Sequence, residues 1–399
     1  MRVRAAAGLA GLLLGLAAPA AQAQWQFGPA VDVAVGGVFH HLDASGRRAL
    51  AVSGRRLGLV WEDNRSGAPR CYLALGRTDG PAFREYPFGR GECFEPAVAG
   101  LGDGRFALIW EDETGVNAAV AGISGIGQAL RLAPAGGHGS LAWHPRLGLA
   151  AAWSATEGPW RRVWRQALTV EEGRPVASGP ARPADPWPAA DHQAWPVLDA
   201  SGAGLTLAWE DRRPGHTVIF YSHSGDGRVW TLPARLSRNP TGRVNDQLGR
   251  GTGAMRPALA GFGEGRLAAV WLDKRDFLSG YDVYAALSDT GGLTYGPDGK
   301  AQDSFGDAIA QWHAAVAGNA RGDLAIAWDD DRDGTADIWV TRLKADGRYA
   351  DNVTPEPASG AGAQTDPVIA LDEQGRLHLA WIERDGEGQS RLRYATGQP

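Results

Sequence analysis

The chain has 399 residues and a formal net charge of −5, and it contains 56 glycines and 16 tryptophans. This mild acidity argues against nucleic acid as a partner, because phosphate backbones select basic surfaces. After the N-terminus, no segment is long and apolar enough to cross a bilayer, so we expect no membrane span.

The N-terminal 23 residues have the pattern of a secretory signal peptide. Arg2 and Arg4 precede an apolar run over 5–18, and the small-residue sequence Ala21-Gln22-Ala23 follows it. A basic start, a short apolar segment and an A-x-A site together predict cleavage after that sequence. We therefore expect a periplasmic or secreted protein with one domain over 24–399.

Cys71 and Cys93 are the two cysteines of the chain. In an oxidising compartment an even pair is most simply one disulfide, and this pair would close a loop of about twenty residues. Two unrelated buried thiols are the alternative. A metal site is not expected from so sparse a pair.

An apolar segment that ends in tryptophan recurs seven times, at intervals of 43 to 62 residues. This spacing is close to the period of β-propeller blades, and the intervening segments carry strand and turn signals without a helical period. The repeat predicts an all-β fold, a seven-bladed β-propeller of four-stranded blades. The repeated tryptophans are Trp61, Trp110, Trp153, Trp209, Trp271, Trp328 and Trp381.

Four strands are predicted in each copy. Around Trp271, the first strand is predicted at Pro257–Phe262 and the third at Tyr281–Ala286, and in the preceding copy the fourth strand is predicted at Val229–Pro233. Small residues early and bulky ones late suit a blade that is narrow at the axis and wide outside.

The two ends of the chain complement each other. After the last repeated tryptophan only a third strand remains, at Ser390–Ala395, and the mature N-terminus at 24–30 has the pattern of a fourth strand. We therefore expect the N-terminal strand to complete the last blade and close the ring, which removes the exposed sheet edge of an open array.

A second signature lies in the turn after the third strand. Ser288-Asp-Thr-Gly-Gly-Leu-Thr-Tyr295 is similar to the Asp-box S-x-D-x-G-x-T-W, and Ser224-Gly-Asp-Gly-Arg-Val-Trp230 is a looser copy. The chain resembles the sialidase superfamily of BNR or Asp-box β-propellers. In that family the box is a structural turn far from the catalytic face. Sialidases have six blades, so six blades are the alternative to seven.

Acidic and basic residues follow the repeated tryptophan in several copies, as in Trp209-Glu-Asp-Arg-Arg213 and Trp328-Asp-Asp-Asp-Arg332. One active site does not need several copies of itself, so we interpret the Asp and the Arg as a structural turn. The oxygen-rich segment 329–337 is also compatible with calcium, although it lacks the spacing of an EF-hand loop. We predict no cofactor, with calcium as the alternative.

Function is expected where the blades differ, in the loops that enter the first strands and share one face around the axis. Five of the nine histidines fall there, and such groups bind anionic sugars or metals. The alternative is that each histidine caps its own strand or faces solvent. Residues at these entries are His40, His41, Glu95, His138, His192, Arg256, His313 and Asp366.

Arg256 precedes a strand-one proline in Met255-Arg-Pro-Ala258, where the resemblance to sialidases implies an arginine that clamps a substrate carboxylate. Two further arginines of the sialidase triad are replaced here by His, Glu or Asp, and the Tyr/Glu nucleophile pair is not recognisable. The sequence therefore leaves open whether the chain is an enzyme.

Longer loops over 182–195, 237–255 and 299–313 enter the same face and bring Trp187, Trp195 and Trp312. Their indole faces suit stacking on sugar rings, and packing of the indoles against the propeller body is the alternative. Stacking on a sugar requires exposed indoles, whereas packing against the propeller body requires buried ones.

The sequence therefore predicts an exported, monomeric β-propeller binding protein that recognises a carbohydrate or another anionic extracellular ligand on its axial face. A sialidase-like glycoside hydrolase or lyase is the first alternative, and a protein-interaction scaffold is the second. Catalytic residues and metal ligands are not assigned. The predicted ligand-binding residues are Arg256, His138, His192, His313, His41, Glu95, Trp195 and Trp312.

Overall fold

The computed structural model describes residues 25–35, 39–42, 48–239, 253–276 and 280–399. In these ranges the regular structure is β-strand apart from two short 3-10 helices, Ser304–Ala308 and Glu356–Ala358. Within the same ranges no helix is long and apolar enough to cross a membrane. The predicted signal peptide and most of the loop over 237–255 lie outside the described residues.

Seven antiparallel sheets, one for each repeated tryptophan, form a ring, which confirms the predicted seven-bladed β-propeller. The strands of blades 1 to 3 are His40–His41 with Leu50–Ser53, Arg56–Asp63, Arg70–Arg77, Gly80–Phe88; Cys93–Gly100, Phe106–Asp112, Gly115–Gly122, Gly125–Ile126 with Leu130–Ala133; and Gly137–His144, Gly148–Glu157, Trp160–Glu171, Arg174–Ala177 with Arg182–Pro183.

The remaining blades follow the same order from the axis outwards, and in blade 6 the bridges Val340–Val353 and Leu343–Tyr349 stand in place of a regular fourth strand. Their strands are Gln193–Ser201, Gly204–Asp211, Val218–Ser224, Ala234–Arg235 (blade 4); Ala254–Phe262, Arg266–Asp273, Asp282–Ser288, Gly299–Lys300 (blade 5); Trp312–Gly318, Leu324–Asp330, Asp337–Arg342 (blade 6); and Ala363–Leu371, Leu377–Arg384, Ser390–Gln398 (blade 7).

The N-terminal segment completes blade 7, as predicted. Its strands Gln26–Phe27 and Val31–Ala34 pair antiparallel with the C-terminal strand Ser390–Gln398. The first and last parts of the described chain are therefore hydrogen-bonded to each other, and no open edge is left between them.

The fourth strand of blade 4 was predicted at Val229–Pro233 but is formed by Ala234–Arg235. Asp226 accepts two backbone N–H groups at 2.8 Å each and so extends the preceding turn. Within the predicted segment Thr231 still donates its N–H to the carbonyl oxygen of His223 at 2.9 Å, outside a regular ladder.

Close approach of neighbouring blades at the axis depends on glycine. A Cβ on Gly261 of blade 5 would lie 2.5 Å from the carbonyl oxygen of Ala200 in blade 4. A Cβ on Gly318 of blade 6 would lie 2.4 Å from the carbonyl oxygen of Gly261. Because no side chain fits there, glycine lets the first strands come close together.

The Asp that lies two residues after the repeated tryptophan is structural, as predicted. The indole Nε1 donates to its carboxylate, and the same carboxylate accepts the N–H of the residue two positions further on. The sequence did not indicate the indole bond. The Nε1–carboxylate distances are 2.9 Å for Trp61–Asp63, 2.8 Å for Trp110–Asp112, 3.3 Å for Trp209–Asp211, 2.9 Å for Trp271–Asp273 and 3.0 Å for Trp328–Asp330.

The predicted disulfide between Cys71 and Cys93 is present and joins the third strand of blade 1 to the first strand of blade 2. It closes a loop with a sequence separation of 22, and both residues are fully buried.

We expect the double substitution Cys71→Ala/Cys93→Ala to lower the free energy of unfolding by about 3 kcal/mol, because the unfolded chain regains the entropy of the open loop. Urea unfolding of the oxidised protein and the variant measures this. The reduced wild-type protein is the control, and it should approach the stability of the variant. Equal stability of the oxidised protein and the variant would contradict the prediction.

Candidate functional site

A β-bulge interrupts the first strand in each of blades 2 to 7. One residue in each bulge has a positive φ, between 50° and 57°, although it is not glycine. This conformation costs a non-glycine residue about 1–3 kcal/mol, and bulges re-aim side chains, so its recurrence marks a built feature. We call these six residues the axial ring: Glu95, His138, Trp195, Arg256, His313 and Asp366.

Three members of the axial ring form a layered stack across blades 3, 4 and 5. The rings of His138 and Trp195 lie 3.8 Å apart with an interplanar angle of 20°. On Trp195, the guanidinium carbon of Arg256 lies 3.4 Å from the indole centroid. A cation over an aromatic face gains electrostatic attraction, and the contact fixes the plane of the guanidinium.

Carboxylates hold the bulges of the axial ring in place. The residue directly after a repeated tryptophan accepts the N–H of the ring residue in the next blade: Glu62 from Glu95 at 2.8 Å, Glu210 from Arg256 at 2.8 Å, and Asp329 from Asp366 at 3.1 Å. Between blades 2 and 3, Glu95 accepts the N–H of His138 at 3.0 Å. These bonds between blades offset the cost of the positive φ.

Arg256 is a partly buried cation with neighbours from several blades. Its Nη1 lies 3.1 Å from Oε1 of Glu210, and 24% of its side chain is exposed. Burial lowers the pKa of Arg256, against the opposing charges of Glu210 in blade 4 and Glu95 in blade 2. Burial likewise raises the pKa of Glu210, against the charge of Arg256. The charged side chains of Glu95, Glu210 and Arg256 come from blades 2, 4 and 5 and interact electrostatically. The axial ring therefore forms one site around Arg256.

Tyr281 lies beside this centre, in the loop that leads to the third strand of blade 5. Burial raises the pKa of its hydroxyl, and so does the charge of Glu210, so the phenol is neutral at ordinary pH. Its ring lies 5.2 Å from that of Trp312. The site therefore contains a neutral phenol that interacts electrostatically with the Arg256 guanidinium.

His313 is held between two carboxylates. Its Nδ1 lies 2.7 Å from Asp329 and its Nε2 lies 3.4 Å from Asp366. Burial and the charge of Arg384 lower the pKa of His313. The hydrogen bond to Asp329 and the charges of Asp329 and Asp366 raise it more strongly, so that the pKa is about 9. His313 is therefore an imidazolium at neutral pH.

This ion pair predicts how stability depends on pH. The folded pKa of His313 lies above the ordinary value of 6.5, so its stabilisation is complete below about pH 6.5 and is lost as the pH rises through about 9. We expect the difference in unfolding free energy between the wild type and His313→Asn to shrink over that interval. Urea unfolding at several pH values measures it, with His192→Asn at an exposed position as the control. A difference that is constant with pH would contradict the ion pair.

The other predicted site residues lie on the same face, outside the axial ring. Nδ1 of His41 lies 3.3 Å from Glu62, and Trp312, with an exposed fraction of 41%, precedes His313. His192 is exposed and accepts the N–H of Arg161 at 3.1 Å. His40, by contrast, is fully buried against Ser390, so it does not face a ligand.

Sequence reasoning missed Glu62, Glu210, Asp329, Tyr281 and Arg161. Three of them directly follow a repeated tryptophan, next to the structural Asp, and were assigned to the same turn. Successive side chains of a strand point to opposite faces, so this alternation separates the acid that faces the next blade from the Asp that bonds the indole.

Metal ligands are not grouped in this part of the structure. In the described ranges no cluster of three or more His, Cys, Asp or Glu is placed to hold a metal ion. In the proposed calcium segment, Asp329 contacts His313, and Asp330 accepts from Trp328 and Arg332.

Fold and site together define a seven-bladed β-propeller whose axial face is built from charged and aromatic residues. Neither a family model nor a curated protein sequence matches the chain. Solved structures do resemble it.

Polysaccharide lyase Uly1 is 10% identical, with a TM-score of 0.57 over 96% of this chain and 94% of the lyase. The GH93 α-L-arabinofuranosidase of Fusarium graminearum is 11% identical, with a TM-score of 0.52 over 93% and 97% of the two chains. A protein of unknown function from Dyadobacter fermentans is also 11% identical, with a TM-score of 0.52 over 92% and 99%. At these identities the similarities establish the propeller fold alone.

Proposed function

We propose that this protein binds an acidic carbohydrate on its axial face and that Arg256 contacts the sugar carboxylate. The observation that carries the proposal is the stack of Arg256 on Trp195, in which a partly desolvated guanidinium is oriented at the centre of the axial ring. Arginine binds carboxylates through two parallel N–H bonds, and partial exclusion of water strengthens them.

The surroundings of Arg256 support a sugar rather than a small inorganic anion. Trp312, with an exposed fraction of 41%, presents an aromatic face that suits a sugar ring, and His138 and His41 add ring nitrogens that bond hydroxyls. Two structural neighbours are named as enzymes of carbohydrates. The secretory pattern of 1–23 supports action outside the cytoplasm, and we expect a monomer.

A second candidate function is cleavage of a uronate polymer by β-elimination, favoured by Tyr281, whose ring lies 5.2 Å from that of Trp312 and whose hydroxyl interacts electrostatically with Arg256. Arg256 would neutralise the carboxylate, which acidifies the proton on the adjacent carbon. With Arg161 turned from Nε2 of His138 to the substrate, His138 would accept that proton, the electron pair would form the carbon–carbon double bond, and the glycosidic oxygen would leave with a proton from Tyr281. No water is consumed and no redox partner is needed.

The test is a glycan-array screen of the protein beginning at Gln24, with uronate, sialylated, sulfated and neutral glycans. Every carboxylated glycan that binds is then incubated with the protein and assayed for the ultraviolet absorbance of an unsaturated uronate and for new reducing ends. Binding without product supports a binding protein, and an unsaturated product supports the lyase. Saturated products would indicate hydrolysis instead. Absence of any carboxylated-glycan binding would overturn the proposal and favour the scaffold alternative.

A further inference from the structure

The hairpin between the second and third strands of blade 3 is paired further towards its tip than those of the other blades. In the five blades that have an Asp two residues after the repeated tryptophan, pairing of the second and third strands ends at that Asp, as at Asp211–Val218, and in blade 7 it ends at Arg384–Ser390. In blade 3 the ladder continues past Trp153 to the pair Glu157–Trp160, and its two strands have 10 and 12 residues. The tip of blade 3 is therefore a two-residue turn, 158–159, on a continuous ladder that holds Trp160 and Arg161 in place.

The hairpin of blade 3 connects to the axial ring through Arg161. Its Nη1 lies 3.1 Å from Nε2 of His138, and its backbone N–H bonds His192. His192 in turn contacts Trp160 edge to face, with ring centroids 5.3 Å apart. Side chains thus lead without a break from the centre of the propeller to the tip of blade 3.

Trp187, in the loop that joins blades 3 and 4, is held out into solvent beside this hairpin. Its exposed fraction is 64%, so it does not cover the propeller body. The loop is fixed from below, because the nearly buried guanidinium of Arg162 donates to the carbonyl oxygens of Asp185 and Trp187 at 2.9 and 2.8 Å. The Asp185 carboxylate accepts the Trp187 N–H at 3.0 Å and pairs with Arg213 at 2.5 Å.

Because hydrogen bonds to a nearly buried guanidinium and one ion pair hold the loop, the exposed indole of Trp187 is preorganised for contact with a ligand. The hairpin and the loop also carry aromatic and cationic side chains, Trp160, His192 and Arg161. This combination repeats, at the rim, the chemistry of the stack at Arg256. A single sugar at the centre would leave the rim side chains without a ligand, whereas a chain of acidic sugars would contact both the centre and the rim.

We propose that blade 3 carries a second subsite, formed by Trp187, Trp160 and Arg161, and that the ligand is a polymer of acidic sugars that extends from Arg256 across His138 to this rim. The inference rests on the proposed function, which it deepens: the central site binds one carboxylated sugar, and the rim binds units further along the same chain. Sugars with few units would reach only the centre.

The test is titration calorimetry with size-fractionated oligouronates, using galacturonate, alginate and hyaluronan ladders, on the wild type, Trp187→Ala and Trp143→Ala. Trp143 is the matched control, because it is a partly exposed indole in a cavity of about 620 Å³ at the opposite end of the propeller axis. For the wild type, affinity should rise with chain length. Trp187→Ala should lose roughly 10-fold or more for long oligomers and leave the shortest unchanged.

The outcomes separate the two proposals. If the wild type binds oligouronates but Trp187→Ala behaves as Trp143→Ala at every length, the rim subsite is wrong and the central site stands. If Trp187→Ala loses affinity equally for oligomers of all lengths, Trp187 acts on the fold or on the central site, and the rim subsite is again wrong. If the wild type binds no member of any ladder, the proposed function itself fails.

Discussion

Arg256→Ala should weaken the binding of carboxylated glycans by about 30-fold or more, since truncating one partner of a desolvated charge pair costs 2 kcal/mol or more. Neutral glycans should lose much less, because their contacts are with Trp312 and the hydroxyl-bonding residues. Arg256→Lys should recover only part of the loss. Lysine keeps the charge but lacks the planar fork that lies on Trp195 and bonds a carboxylate twice.

The matched control is Arg266→Ala. Arg266 belongs to the same blade and also lies over an aromatic ring, that of Phe262 at 4.2 Å, but it is at the opposite end of the strands. Both variants are compared by thermal unfolding, since Glu210 loses its cationic partner in Arg256→Ala. A similar loss of binding in the two variants, or an equal loss for neutral and acidic glycans, would remove Arg256 from the carboxylate site.

The fold could be predicted from the repeat because a tryptophan is buried at the same place in every blade. Trp61, Trp209, Trp271, Trp328 and Trp381 are fully buried at the end of the second strand, so their spacing reports the blades directly. The pattern of the two chain ends predicted ring closure for the same reason: a third strand without a fourth needs a partner from elsewhere in the chain.

The candidate site was only half visible in the sequence. Arg256, His138 and His313 stood out because each departs from the repeat at the entry to a first strand. What brings them together is the bulge, with its positive φ, and this backbone conformation has no residue signature here, because Glu, His, Trp, Arg and Asp all adopt it. Electrostatic interactions across the ring, such as that of Glu95 with Arg256, depend on closure of the whole propeller and are not encoded locally.

Glu210 shows why the repeat also misled. It precedes Asp211 in a Trp-Glu-Asp sequence that recurs, so both acids were assigned to the turn. In the structure Asp211 accepts the N–H of the indole, whereas Glu210 points to the next blade and accepts the backbone N–H of Arg256. Adjacent residues of one motif therefore serve the fold and the site separately.

The repeated turn should itself be a major source of stability, and Asp273→Ala should lower the free energy of unfolding by about 3–5 kcal/mol. The Asp273 carboxylate is fully buried and accepts from Nε1 of Trp271 at 2.9 Å and from both the backbone and the guanidinium of Arg275, at 3.0 and 2.7 Å. Its loss leaves a buried indole N–H without an acceptor and removes one of the two carboxylates of Arg275. Asp273→Asn should cost less, because an amide oxygen still accepts from the indole.

The control for this effect is Asp346→Ala, measured by the same urea unfolding. Asp346 forms the same local pattern with Arg348, accepting its backbone N–H at 3.0 Å and its guanidinium at 2.8 Å, but on an exposed turn. Exposed ion pairs contribute about 0–1 kcal/mol, so the two sites differ in burial rather than in geometry. If both substitutions lower the free energy of unfolding equally, the buried bond to the tryptophan contributes nothing to stability. The repeated Asp would then need a role other than stabilising the five blades that contain it.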